Sequence, residues 1–493
     1  MLCFFKLHSK SAMAEQSLKD KTAKGLFWGG ISNGIQQLLS LVFGICLARL
    51  LSQTDYGMFT MLIIFTTAAN LLLDSGFTTA LINKKDATDK DYNSVFWFST
   101  GMGVFLYILL FLAAPYIAVW LGVPSLTTPA RFMFLWFLFG STGTVHNALL
   151  VKNLMIKEKA KIEITAFVLS GVVAVGMAWQ GMAYWSLFVQ MVLQGFIGTL
   201  LRWYYSPWRP SFRFDSQPLK QMFPFSAKLL ITGLFNVVNN NIFGPLIGKY
   251  YSPKAAGDYG QGYKWSYVGY SVVWGMVNNV SQPVLAQLSN NPGRQEQAFR
   301  KMVRFVSFLV FPCMLGLAFV SHEFIFITVT DKWAASIPYM QLFCIWGAIT
   351  PINNLCANVI VSHGKSNIFM YSTITLDIIQ LAVVFLSYPY GLVQMVINYI
   401  IVNLFWFFVW YYFVHRCIPI RLFNLVCRDI FPFLFAALGA IAVAYFITLN
   451  IENIYLRLGI KMVIVASLYT GVLYLCKAVV LKESIQYLKK QFQ

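Results

Sequence analysis

Apolar residues gather along this chain into runs of about 20, the length a helix needs to cross the hydrocarbon of a bilayer, and each run ends in a short polar turn. The pattern predicts an all-α polytopic membrane protein of about 14 transmembrane helices. They fall at 25–48, 56–73, 95–121, 132–150, 164–179 and 184–204, then at 221–247, 259–284, 302–320, 337–361, 368–388 and 392–413, and finally at 430–449 and 459–481.

The polar punctuation comes back. Gly44, Ile45, Cys46, Leu47, Ala48 and Arg49 close the first run, and Ser52, Asp55, Tyr56 and Gly57 lead into the second. Gly244, Pro245, Leu246, Ile247, Gly248 and Lys249 close the seventh run in the same manner, ahead of Ser252, Asp258, Tyr259 and Gly260. Inside the helices Gln36 aligns with Asn236, and Ser40 with Asn240. A repeat this long exceeds a solenoid unit and predicts two homologous halves, a design common among membrane transporters. An even number of helices separates the copies, so both halves enter the membrane from one side as parallel repeats. The expected organisation is a cytoplasmic segment at 1–23, a six-helix lobe at 24–204, a linker at 205–220 and a second six-helix lobe at 221–413. A second cytoplasmic linker follows at 414–429, then two further helices within 430–481 and a cytoplasmic tail at 482–493.

Composition agrees. The chain is 58% hydrophobic and 11% charged, against about 25% charged residues in soluble domains, which excludes a water-soluble globule. The 8 cysteines stand singly with no C-x-x-C, and Cys46, Cys313, Cys344, Cys356 and Cys476 lie inside apolar runs. Neither a disulfide framework nor a zinc site is expected, and the 5 histidines show no ligand spacing, so no metal and no cofactor is expected. No cleavable signal pattern stands near the start; the first run is expected to act as an uncleaved signal, with Met13 as initiator.

Charge supplies the orientation. The chain holds 37 Lys and Arg against 18 acidic residues, and the basic ones crowd every second loop: Lys84 and Lys90, Lys152 and Lys161, Arg209 and Lys220, Arg294 and Arg304, Lys365, Arg416 and Arg428. Basic short loops mark the cytoplasmic side, so both termini are expected in the cytoplasm. The +19 balance then reads as topology plus affinity for anionic lipid. Charge scattered over many loops, rather than gathered on one face, argues against a nucleic-acid partner.

The loops leave no room for a soluble domain. There is no P-loop, no H-E-x-x-H and no nucleophile–base pair, so no enzyme is expected. Asp86, Asp89 and Asp91 sit among lysines and read as a solvated loop. Function must therefore rest on polar residues within the helices. Lys228, Thr232, Asn236 and Asn239/Asn240 recur every three or four residues and line one helix face. Asn33, Gln36, Gln37 and Ser40 repeat the idea in the first helix. Lys264 shares a face with Ser271 and Asn278, while Asn353, Asn354 and Asn358 follow in the tenth helix and Asp377 in the eleventh. A cation within hydrocarbon costs at least about 2.5 kcal/mol, so such a residue faces a wet cavity or pairs with another charge. Snorkelling of Lys228 to the interface and use of the asparagines as interhelical glue are the plain alternatives.

At this point the residues carry a resemblance. Lys24-Gly25-Leu26-Phe27-Trp28, followed by Leu47-Ala48-Arg49 and Tyr56-Gly57, resembles the first helix of Wzx-type polysaccharide exporters. Asp74-Ser75-Gly76-Phe77-Thr78-Thr79-Ala80-Leu81-Ile82 resembles the segment after their second helix, and Gln282-Pro283-Val284-Leu285-Ala286-Gln287-Leu288 the end of their eighth. The chain looks most like the colanic-acid-exporter type of lipopolysaccharide biosynthesis protein, within the multidrug, oligosaccharidyl-lipid and polysaccharide exporter superfamily.

The resemblance implies a flippase that moves undecaprenyl-diphosphate-linked oligosaccharide across the bacterial inner membrane by alternating access. Its partners would be that lipid-linked substrate, membrane lipid and other polysaccharide assembly proteins. Lys264, Lys228, Asn236, Asn240, Gln36 and Arg49 are the expected substrate-binding residues, since a diphosphate wants cations and amides hydrogen-bond sugar hydroxyls. Asp377 and Asp74 are the candidates for proton or ion coupling. Related flippases keep arginines in the cavity where this chain offers lysines, which lack the bidentate fork. Two other readings stay open: a multidrug-type cation antiporter, which would favour a carboxylate-rich cavity, and a membrane polymerase or ligase, which would need a sizeable outer loop.

Overall fold

The computed structural model describes residue 28, residues 32–74, 77–84 and 86–476, and residues 478, 480, 481 and 483. The segment 1–23, Met13 and most of the tail at 482–493 lie outside the described residues. Seventeen α-helices follow one another: α1 (Ser32–Leu50), then α2 (Gln53–Asp74), α3 (Phe77–Asn83), α4 (Asp89–Trp120), α5 (Thr127–Lys152), α6 (Ile156–Trp179), α7 (Trp185–Tyr205), α8 (Ser216–Asn241) and α9 (Phe243–Tyr250). The remainder are α10 (Pro253–Gln287), α11 (Pro292–Phe319), α12 (Ser321–Thr328), α13 (Ile337–Ser362), α14 (Ser366–Ser387), α15 (Leu392–His415), α16 (Phe431–Thr448) and α17 (Ile454–Leu475). No strand occurs among the described residues.

Eleven of these segments are long and apolar enough to cross a membrane. The predicted runs outside that set are the sixth, seventh and eighth, which fall on α7, α8 with α9, and α10. Gln190, Gln194 and Arg202 dilute α7, and Lys264 with its Ser, Gln and Asn neighbours dilutes α10, whereas several side chains of α8 lie outside those described. Four of the six expected substrate-binding residues, Lys228, Asn236, Asn240 and Lys264, lie on α8 and α10.

A 3₁₀ turn precedes α5 (Pro124–Leu126) and another precedes α13 (Asp331–Ser336). Both helices then end in a three-residue turn with a left-handed residue, Leu154 at φ 56° in the first and Gly364 at φ 72° in the second. Glycine meets that geometry without a Cβ penalty, and Leu154 meets it at a cost. Proline interrupts α4 at Pro115 and α11 at Pro312, sites where a lost hydrogen bond bends a helix. Helix starts are set by ordinary caps: Asp215 accepts from Gln217 N at 2.9 Å, Asn291 from Arg294 N at 3.1 Å, and Asn453 from Tyr455 N at 3.0 Å.

The chain divides into two compact units, one up to Ala256 and one from Gly257. In the first, α4, α5 and α7 pack side by side, α6 lies on α7, and α8 and α9 pack on α2. The α4–α5 approach is close enough that a Cβ on Gly103 would collide with Ser141, the small-residue contact typical of membrane helices. Phe77, Leu81, Val95, Phe96, Val145, Leu149 and Met222 form an apolar core joining α3, α4, α5 and α8. In the second unit, α11 packs on α13 and α16, α13 on α15, α14 on α15, and α12 and α16 on α17. Gly262 brings α10 onto the backbone of α13, since a Cβ there would stand 2.7 Å from Ser336 O.

Candidate substrate-binding residues

The sequence-named residues divide between the two units. In the first, Gln36 is half-buried on α1, and its Nε2 donates to Ser32 Oγ at 3.0 Å and to Glu163 Oε2 at 3.2 Å on α6. Glu163 also faces Lys159 Nζ at 3.7 Å. The amide is therefore part of a carboxylate-bearing polar cluster, one that sequence spacing did not indicate because 127 residues separate Gln36 from Glu163. Arg49 is exposed at the end of α1. Its repeat mate Lys249 is packed on aromatic faces, with Nζ 4.2 Å from the Trp120 ring centroid and 5.5 Å from that of Tyr250. On α8, Asn236 is half-buried, Asn239 buried and Asn240 exposed. The side chains of Lys228, Thr232 and Asp74 lie outside those described.

The loop acids differ from expectation at one position. Asp86 and Asp89 are exposed, as a solvated loop requires, whereas Asp91 is buried. Its carboxylate accepts from Lys84 Nζ at 2.7 Å and from Thr88 N at 2.8 Å. It closes a capping box on α4. Lys152 works alongside, donating to Lys84 O at 2.7 Å and to Leu81 O at 3.3 Å where α3 ends. Cations at a helix C-terminus satisfy its orphan carbonyls, so part of this basic loop is structural.

In the second unit, Lys264 is half-buried on α10, its Nζ 5.3 Å from the centroid of the Trp265 ring. Trp265 is itself buried and meets Phe324 of α12 edge-on at 5.4 Å. Asp377 is buried on α14, one turn from the buried Gln380. Asn358 on α13 donates to Ser281 of α10 at 2.6 Å, so that amide is interhelical glue. Around Lys264 the structure adds a row of aromatics, Tyr259, Tyr263, Tyr267 and Tyr270, each in ring contact with the next. Their spacing of three and four residues was visible in the sequence as a helical stripe.

Charged groups missed by sequence reading pin α16 and α17 to the rest of the second unit. Asp429, buried just before α16, pairs with Arg300 Nε at 2.6 Å and Arg304 Nε at 3.0 Å. Glu323 on α12 pairs with Arg457 Nε at 2.7 Å and Lys461 Nζ at 2.8 Å on α17. No group of three or more metal-ligating side chains occurs among the described residues.

A helical chain with eleven segments among the described residues long and apolar enough to cross a membrane, and with polar stripes on α8 and α10, defines an all-α polytopic membrane protein. A family described as "Polysaccharide biosynthesis protein" matches residues 46–338, more than half of the chain, and the chain belongs to that family. It is 27% identical over 358 residues to the teichuronic acid biosynthesis protein TuaB of Bacillus subtilis (strain 168), covering 72% of this chain and 74% of that one. It is 25% identical over 358 residues to the lipopolysaccharide biosynthesis protein WzxC of Escherichia coli (strain K12), covering 71% and 72%. Among solved structures, the lipid II flippase MurJ in an inward closed conformation superposes with a TM-score of 0.74 at 12% identity, over 93% of this chain and 99% of that one. At that identity the likeness is one of fold.

Proposed function

We propose that this protein is a flippase that carries an undecaprenyl-diphosphate-linked oligosaccharide from the inner to the outer leaflet of the bacterial inner membrane, for polysaccharide biosynthesis. The observation that carries this reading is membership of a polysaccharide biosynthesis family by a chain with eleven segments, among the described residues, long and apolar enough to cross a membrane. Among the described residues the longest connection without helix is 206–215, since a π-helical stretch (Asn424–Ile430) fills most of the way into α16, and this leaves little room for the loop-borne active site of a polymerase or ligase. The sugar headgroup cannot cross hydrocarbon unaided, and the polar stripes of α8 and α10 offer it a wet route. Lobes at 24–204 and 221–413 rock against each other, with 430–481 appended and both termini in the cytoplasm. Lys264 and Lys228 hold the diphosphate, Asn236, Asn240, Gln36 and Arg49 the sugars, and Asp377 and Asp74 couple the cycle to an ion.

Deleting the protein from its bacterium tests the reading. Lipid-linked oligosaccharide should accumulate on the inner leaflet, in a pool inaccessible to reagents applied outside, and re-expression should clear it. Arrest of glycan assembly without a lipid-linked precursor would overturn the reading in favour of an enzyme.

A further inference from the structure

The face of α10 that carries Lys264 is aromatic as well as cationic. At about 100° per residue, Lys264, Tyr267, Ser271 and Trp274 fall within an arc of about 80° and along about 15 Å of helix axis. Tyr267 is 43% exposed and Trp274 is 41% exposed, while Lys264 and Ser271 are half-buried. Exposed aromatics of a membrane helix normally form belts at its two interfaces. Trp274 lies instead near the middle of the predicted 259–284 run, and Tyr267 about two turns inside it. The helix bearing them is also outside the set apolar enough for a plain lipid-facing span.

Tyr267 is packed from behind. Tyr267 packs on Tyr263 at 6.2 Å and on Tyr270 at 5.3 Å between ring centroids. Tyr270 meets Trp346 of α13 edge-on at 5.3 Å, and Gly347 leaves room for its ring, since a Cβ there would stand 3.1 Å from it. Two exposed rings on the helix face that carries a cation suit a particular ligand. Aromatic faces carry negative charge and their edges positive, so they take the polarised C–H face of a pyranose ring, while an ammonium takes phosphate.

We infer that Tyr267 and Trp274 form a stacking platform for the sugar rings of the lipid-linked substrate, in line with its phosphate at Lys264. The platform rests on the flippase reading above and assigns part of its substrate recognition. Stacking on C–H faces is tolerant of which hydroxyls the sugar carries, so the platform reads the presence of a glycan rather than its identity.

The test measures binding of two probes to the full-length protein in lipid nanodiscs. One is undecaprenyl diphosphate alone; the other is the lipid-linked oligosaccharide extracted from the bacterium that makes this chain. The wild type should prefer the sugar-bearing lipid by about tenfold or more, corresponding to 1.4 kcal/mol or more at 25 °C. In Tyr267→Leu with Trp274→Leu the ratio should fall towards one, and Tyr267→Phe with Trp274→Phe should keep it, because rings rather than hydroxyls or general packing carry the effect. An unchanged ratio in the Leu pair, or equal loss in the Phe pair, overturns the platform while leaving the flippase reading in place. Failure of the wild type to bind either lipid overturns both.

Discussion

Lys461 Nζ on α17 donates to Glu323 Oε1 on α12 at 2.8 Å, across 138 residues of chain, and the carboxylate is only 2% exposed. Arg457, one turn earlier on α17, pairs with the same oxygen at 2.7 Å. The ammonium of Lys461 also lies over Phe319, with Nζ 4.2 Å from its ring centroid. A buried carboxylate left without cations, or cations left without it, costs far more than the intact cluster contributes.

Glu323→Leu should therefore destabilise the protein by about 3–5 kcal/mol, read as a fall in the thermal midpoint in detergent. The triple change Glu323→Leu, Arg457→Leu and Lys461→Leu should recover much of that loss, because no uncompensated charge remains. Equal midpoints for Glu323→Leu and the wild type would show that the cluster holds nothing.

A second carboxylate behaves in parallel. Arg300 grips Asp429 through Nε at 2.6 Å and Nη2 at 3.2 Å, the two-pronged geometry for which a guanidinium is suited. Arg300→Lys should keep the charge and lose the fork, lowering the midpoint modestly. Asp429→Ala strands two arginines and should lower it by considerably more. The ordering of the two variants is the check; a larger effect from Arg300→Lys would contradict this account.

For the proposed substrate lysine, Lys264→Ala should cut transport of lipid-linked oligosaccharide sharply at normal protein level and insertion. Lys264→Arg should keep part of it, since a charge-assisted contact of about 1.5–3 kcal/mol survives in altered geometry. Lys228→Ala should give a smaller loss. Wild-type export in both alanine variants would remove the lysines from the mechanism.

Topology is open to reporter fusions. Fusions after Lys90, Lys161, Lys220 and Gln493 should report the cytoplasm, and fusions after Ser52, Ser252 and Asn453 the outer face. A cytoplasmic signal at Ser252 would contradict the parallel arrangement of the halves.

Helices and their order were legible in the amino-acid string because burial in lipid imposes a local rule: each span must satisfy its own backbone and present apolar side chains. The Gly-Arg and Gly-Lys helix ends at 44–49 and 244–249 suggested a repeat for the same local reason. The polar stripes of α8 and α10 were legible in the same way. Ion pairs follow no such rule. Arg300 and Arg304 read as ordinary loop charges, and nothing near Glu323 in the chain points to Arg457 or Lys461, yet Arg300 finds Asp429 across 129 residues and Lys461 finds Glu323 across 138. Gln36 likewise meets Glu163 only on folding, across 127 residues of chain. Whether a polar side chain within the bilayer serves a ligand or another helix depends on which helices become neighbours. Packing decides that, and a single helix's periodicity carries no record of it.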